Sequence, residues 1–215
     1  MNIGVQNNST FSSRNPNIRF ADNLVRKVNT EYPRISGTKV ECFNNSEKFE
    51  NVLGTICDKL EVIRCNIEKY HCKKTSKKNK IKKILFLIKN LKVGNCNESS
   101  LLSLVAAKIN GIENCSLAYL VSPKGFDYDH SIVLVNDKKP YIIDAWLGFV
   151  DYVPNAIKKY QKEFNIFFNF KKAKTQEMVV KEDKNNMLSF LNEEFTPKDI
   201  EELRVIVPNL ILKKD

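Results

Sequence analysis

The apolar spacing of the chain changes once, and that change constrains the fold more than any other feature. Before Asn110-Gly111, apolar residues recur at three- and four-residue steps. After it they form short runs, "SLAYLVS", "HSIVLVN" and "PYIIDAW", separated by turn residues. Helices followed by strands predict an α+β fold, with an antiparallel sheet packed on the last of the leading helices.

In the helical half, "SEKFENVLGTICDKLEVIRCNIEKYH" sets Phe49, Leu53, Ile56, Leu60, Ile63 and Ile67 along one helix face, with Ser46 as N-cap. A second apolar helix, "IKKILFLIKNLK", is expected to end near Gly94 in a left-handed turn. A third opens at Cys96 and carries Leu101, Leu102, Leu104, Val105 and Ile109 over a wide face, which predicts a buried, central position. Asn136-Asp137-Lys138-Lys139 reads as a hairpin turn. Beyond the strands, "PNAIKKYQKEF" looks helical, and "NMLSFLNEEF" and "PKDIEELR" read as two short helices, the latter with Thr196 as N-cap and Pro197 in its first turn. "VIVPNLIL" reads as a late strand or apolar tail.

A chain of 215 residues suits one compact domain. Residues 1–20, rich in Asn and Ser, are expected to be flexible, and 21–215 to form the single domain. No window is apolar enough to predict a transmembrane helix. The opening "MNIGVQNNSTFSSRNPN" has no cationic start before an apolar run and no Gly after Met, so neither a secretory leader nor N-myristoylation is expected. The six cysteines include no C-x-x-C pair and read as free thiols in a reducing compartment. Cys65, His71 and Cys72 lack the usual zinc-ligand spacing, so neither metal nor cofactor is expected.

The net charge of +10 is uneven. "KKTSKKNKIKK" gathers Lys73, Lys74, Lys77, Lys78, Lys80, Lys82 and Lys83 without an acid. That run suits an acidic membrane surface or an acidic protein, or is simply a solvated helix face. Without arginines interleaved with aromatics it argues against nucleic acid.

A cysteine at a helix start meets partial positive charge and N–H donors, and a neighbouring imidazolium stabilises its thiolate further. Cys96 has that place. Of two histidines, His71 lies beside the lysine run, whereas His130 begins the strand "HSIVLV". Asp144 interrupts the apolar run "YIIDAW", where a carboxylate is costly unless paired. A hairpin centred on Asp137 places His130 and Asp144 almost opposite each other. Singly, such residues are core filler, a surface histidine and a turn former. Together they predict nucleophile, base and orienter.

"GNCNESSLL…DHSIVLV…YIIDAW" resembles the core of the papain-like and transglutaminase-like cysteine enzymes, and its motifs look like those of YopT-type bacterial effector proteases and related deamidases. The resemblance covers residues 92–148 and implies a central Cys-bearing helix on an antiparallel sheet, with extra N-terminal helices. It implies Cys96 as the thioester-forming nucleophile, His130 as proton carrier, Asp144 as orienter and Trp146 as a cover over the triad. For the oxyanion, the Cys96 backbone N–H would be one donor; Asn90, at the place of a papain-like Gln, and Asn95 remain candidates for the second. Glu98 reads as a charge complementing the helix dipole.

The implied activity is hydrolysis of a protein amide, by peptide cleavage or glutamine deamidation, by a secreted bacterial effector in the host cytoplasm. Transamidation or acyl transfer is the same chemistry with another acceptor. Arylamine N-acetyltransferases share the triad order but usually have Arg-Gly-Gly before the Cys, where this chain has Val-Gly-Asn. "EEFTPKDIEEL" resembles the glutamate-rich signals of type IV effectors but also reads as capped helices. The alternative from another class is a catalytically silent binding module docking through its lysines.

Overall fold

The computed structural model describes residues 16–36, 50–71, 76–121, 127–167, 179–182 and 188–212. The fold is α+β. Helices α1 (Pro16–Glu31), α2 (Glu50–His71), α3 (Lys77–Leu91) and α4 (Cys96–Ile109) precede strands β1 (Cys115–Val121), β2 (Asp127–Val135), β3 (Tyr141–Asp144) and β4 (Phe149–Tyr152). Helix α5 (Val153–Phe167), strand β5 (Val179–Glu182) and helix α6 (Pro197–Ile206) follow, with 3-10 turns at Ser189–Asn192 and Pro208–Leu210. The five strands form one antiparallel sheet in the order β4-β3-β2-β1-β5.

Helix α4 is the hub. Almost every residue in it is buried, and Leu101, Leu102, Leu104 and Val105 are fully enclosed. It packs on Leu117, Val133 and Ile143 from one face of the sheet, within a core shared with α1, α2, α3 and α6. The opposite face presents Leu120, Ile132 and Ile142 to Ala156 and Tyr160 of α5, a smaller second core. Alternation along β2 thus sends Val133 and Val135 to α4, and His130 and Ile132 to the α5 side.

Several boundaries differ from expectation. The polar N-terminal segment was expected to run through residue 20, but Pro16 opens α1, whose Ile18, Ala21, Leu24, Val25 and Val28 are buried at helical spacing. Ser46 and residues 1–15 lie outside the described residues. Helix α3 starts inside the lysine run, capped by Ser76, whose hydroxyl accepts from the Asn79 N–H. It ends at Lys92, which itself takes the left-handed conformation at φ 54°. Gly94 serves another purpose: Ile35 donates to the Lys92 carbonyl and Gly94 donates back to Ile35, so the segment after α1 lies flat against the approach to Cys96. "VIVPNLIL" forms no strand; Val205 and Ile206 finish α6, and Pro208–Leu210 is a 3-10 turn. Thr196 and Asp199 form the expected N-terminal cap of α6.

The β2–β3 hairpin turns where expected, but its register is displaced. Val133 pairs with Ile143 and Val135 with Tyr141, centring the hairpin on Lys138 rather than Asp137. One further step would set Asp144 opposite Ile132, with His130 two residues along β2. His130 also lies inside its strand, not at the start. A displacement of two residues preserves facing, so His130 and Asp144 stay on one face as diagonal neighbours.

A Cβ added at Gly94 would stand 2.9 Å from Arg34 Cδ and 3.0 Å from Glu98 Cβ. Gly94→Ala is therefore expected to cost about 1–3 kcal/mol through overpacking, measured by urea unfolding. At Gly54, exposed within α2, an added Cβ meets nothing within 4 Å, and Gly54→Ala is expected to stabilise by roughly 0.5–1 kcal/mol in the same assay.

Candidate active site

Cys96 is the first residue of α4, and Asn95 is its N-cap. The Glu98 carboxylate reaches back to accept the Asn95 backbone N–H at 2.8 Å, so it caps the helix in addition to placing charge at its positive end. Glu98 is buried; its other oxygen lies 4.0 Å from Arg64 Nε, a charge contact longer than a hydrogen bond. Arg34 adds a second positive charge nearby, and burial pulls that guanidinium down to about 10, against the raising influence of Glu98.

His130 Nε2–H donates to Asp144 Oδ2 at 2.7 Å, with both side chains buried. The Cys96 side chain is hydrogen-bonded to the same imidazole. With Nε2 committed to Asp144, Nδ1 is the nitrogen left to face the sulfur. Burial alone would lower the His130 pKa. The Asp144 charge and hydrogen bond outweigh it, Cys96 adds to them, and the result is about 9.

Asp144 ends β3, where a buried carboxylate needs several donors. Its Oδ1 accepts the Leu147 backbone N–H at 2.9 Å, closing the turn whose Gly148 takes φ 80°. Its Oδ2 accepts from His130 and, at 3.0 Å, from the Tyr160 hydroxyl on α5. Burial pushes the Asp144 pKa up, but His130, Leu147 and Tyr160 together hold it below the usual carboxylate value. The same contact keeps the Tyr160 phenol protonated, its pKa driven well up by burial and by Asp144.

Trp146 lies beside the imidazole, with ring centroids 5.2 Å apart, and Tyr160 meets the imidazole edge-on at 5.4 Å. The Trp146 indole N–H donates to Ser36 Oγ at 3.0 Å, and Ser36 donates to Asn95 Oδ1 at 2.9 Å. This chain turns the amide nitrogen of Asn95 away from Ser36. Behind Cys96, Ser100 Oγ donates to its carbonyl and accepts, at 2.8 Å, from the hydroxyl of Ser131 on β2, joining helix to sheet. A cleft of about 270 Å³ opens beside this group, lined by Arg34, Ser36, Gly94, Ser99 and Trp146. A larger cavity of about 420 Å³ lies at the other end of α4, beside Asn110, Gly111 and Asp137, away from Cys96.

The structure therefore brings together Cys96, His130, Asp144, Asn95 and Trp146. It does not bring in Asn90, whose amide donates to the Phe86 carbonyl at 2.8 Å on the exposed last turn of α3. The lysine run is divided. Lys77 binds the Glu194 carbonyl and stands over the Phe195 ring, Lys78 pairs with Glu202 at 3.1 Å, and Lys80 stands over Phe190. Those three tie α3 to the C-terminal segment, while Lys82 and Lys83 remain exposed. Lys73, Lys74, Cys42, Cys72 and the His71 side chain lie outside the described residues. Cys57, Cys65, Cys96 and Cys115 are free thiols. Among the described residues no cluster of His, Cys, Asp or Glu could hold a metal ion.

Tyr160 and Ser36 were not singled out by sequence. Tyr160 had a signal: it falls four residues after Ala156 on the apolar face of "PNAIKKYQKEF", and a buried tyrosine hydroxyl needs a partner. Ser36 had none, because its partners lie 59 and 110 residues away. The chain matches no protein-family model and no curated protein.

Removing the Tyr160 hydroxyl deletes a hydrogen bond to a buried charge while His130 and Leu147 remain. Tyr160→Phe is expected to cost about 1.5–3 kcal/mol in urea unfolding. The pH dependence follows from His130. Its folded pKa, about 9, exceeds the unfolded value near 6.5, so its contribution is complete below the lower value and lost as pH rises through the upper. Tm is expected to fall between these limits in the wild type, and less in Asp144→Asn, as read by scanning calorimetry.

Proposed function

We propose that the protein is a cysteine-dependent hydrolase acting on a protein amide, as a protease or a glutamine deamidase. The observation that carries this reading is one buried imidazole bonded to Asp144 through Nε2 and to the side chain of Cys96 at a helix start. The finer fold reading, a papain-like or transglutaminase-like core, draws on the Cys-bearing helix, the antiparallel sheet and the sequence resemblance.

In this mechanism His130 takes the Cys96 thiol proton as the sulfur attacks the carbonyl carbon of the amide. Negative charge develops on the carbonyl oxygen, for which the Cys96 backbone N–H at the start of α4 is one donor and the amide nitrogen of Asn95 a candidate second. The C–N bond then breaks, His130 passes its proton to the leaving amine, and a thioester remains on Cys96. Water attacks the thioester, His130 takes a proton, the C–S bond breaks, and the carboxylic acid leaves. Asp144 stays ionised throughout and holds the ring in place. Peptide cleavage and deamidation differ only in which amine departs; an amine in place of water would make the reaction a transamidation. Action on a host protein, as a secreted bacterial effector, rests on the resemblance alone.

The test needs no substrate. At about pH 6.5, iodoacetamide is expected to alkylate Cys96 about tenfold or more faster than the exposed Cys57 and Cys65, as followed by peptide mass spectrometry. Cys115 supplies an inert reference, because burial pushes its thiol up to about 11 despite the lowering influence of Lys108. His130→Ala should remove the Cys96 advantage. Equal rates for Cys96, Cys57 and Cys65 in the wild type would sink the enzyme and leave the binding module.

A further inference from the structure

We infer that the outer face of α3 is a docking surface for anionic lipid bilayers. The lysines of the run that stand exposed on α3, Lys82 and Lys83, supply the starting point. Lys82, Lys83, Lys89 and Lys92 are exposed, and no acidic residue occurs from Lys77 to Lys92. Phe86 stands among them with 66% of its surface open to solvent. Steps of three and four residues put Lys82, Lys83, Phe86 and Lys89 on one helix face. At the end of the helix, Ile35 is 53% exposed, and its backbone N–H is bonded to the Lys92 carbonyl. The strip from Lys82 to Lys92 is roughly 15 Å long and ends four residues before Cys96.

Charge alone would suit any polyanion, but the two apolar side chains narrow the choice. A phosphate backbone offers an aliphatic residue such as Ile35 nothing to bury against, and Ile35 cannot stack on a base. A bilayer interface accepts aromatic and aliphatic side chains alike, while the lysines stay at the headgroups. The opposite face of α3 is occupied, since Ile81, Ile84, Leu85 and Ile88 are in the core. The strip is thus a rigid surface that needs no refolding to dock. Docking here would hold the start of α4 close to the membrane plane, and the inference stands whether or not Cys96 is catalytic.

The experiment is co-sedimentation of the full chain with phosphatidylcholine vesicles, with and without roughly one-third phosphatidylserine. Binding is expected only with phosphatidylserine and should weaken as salt rises. Each reversed lysine in Lys82→Glu/Lys83→Glu should cost roughly fivefold or more. Lys138→Glu/Lys139→Glu makes the same change in net charge on exposed lysines of the β2–β3 turn and should cost much less. In Phe86→Trp, emission should shift to the blue on phosphatidylserine vesicles, above the background of the buried Trp146. Equal binding to neutral vesicles, equal losses in the two lysine pairs, or an unshifted Trp spectrum would each overturn the proposal. So would preferential capture by single-stranded RNA that is indifferent to Phe86→Ser. All the positions changed are exposed, and circular dichroism of each variant verifies the fold.

Discussion

A carboxylate buried at the end of an apolar strand is the constraint on which this architecture depends. Asp144 is almost inaccessible, and an ionised group there is tolerable only if donors surround it. The donors come from three places: the turn after β3, the neighbouring strand through His130, and α5 through Tyr160. Satisfying one charge therefore fixes the β3–β4 turn, the orientation of the imidazole and the seat of a helix on the second face of the sheet. His130 gains most, since a ring bonded at Nε2 and held between Trp146 and Tyr160 has little freedom to turn.

The other half of the site is held from farther away. Residues 32–36, just after α1, run beside 92–95 through two backbone hydrogen bonds, and Ser36 joins Trp146 to Asn95. Arg34 packs where a side chain at position 94 would otherwise stand, with its guanidinium bonded to Asn29 and the Tyr32 carbonyl. Asn29 in turn donates to the Ala145 carbonyl at 3.0 Å, next to Asp144. The leading helix thus touches both the strand that carries the carboxylate and the loop that presents the sulfur, although it contributes nothing that could react.

The parts legible in the sequence were those written in local pattern. The change from helical to strand spacing marked the α+β fold, and Cys96, His130 and Asp144 stood out as chemically awkward residues at element boundaries or inside apolar runs. What escaped depended on distant contacts. The N-terminal helix was obscured because its early polar residues, Asn17, Arg19, Asp22 and Asn23, resemble the Asn-rich segment before it. The end of α3 was misplaced because Lys92 adopts the left-handed turn that a glycine two residues later would have been expected to take. The lysine run read as one block because the acids and aromatics that claim Lys77, Lys78 and Lys80 lie more than 100 residues away.

The hairpin register has a consequence for how this chain can vary. His130 and Asp144 meet across β2 and β3 as diagonal neighbours, in a ladder centred one residue later than simple symmetry suggests. Side-chain facing depends only on whether a slide between the strands is odd or even. An insertion or deletion in the turn that moves β3 by two positions keeps the carboxylate on the side of the imidazole, within reach of small backbone adjustments. One that moves it by a single position turns Asp144 toward α4 and leaves a charge facing Leu101 and Leu104. The turn at Asn136–Pro140 therefore acts as a parity filter: length changes that slide the strands are admitted in pairs, and odd ones must be absorbed as a bulge before they reach Ile143.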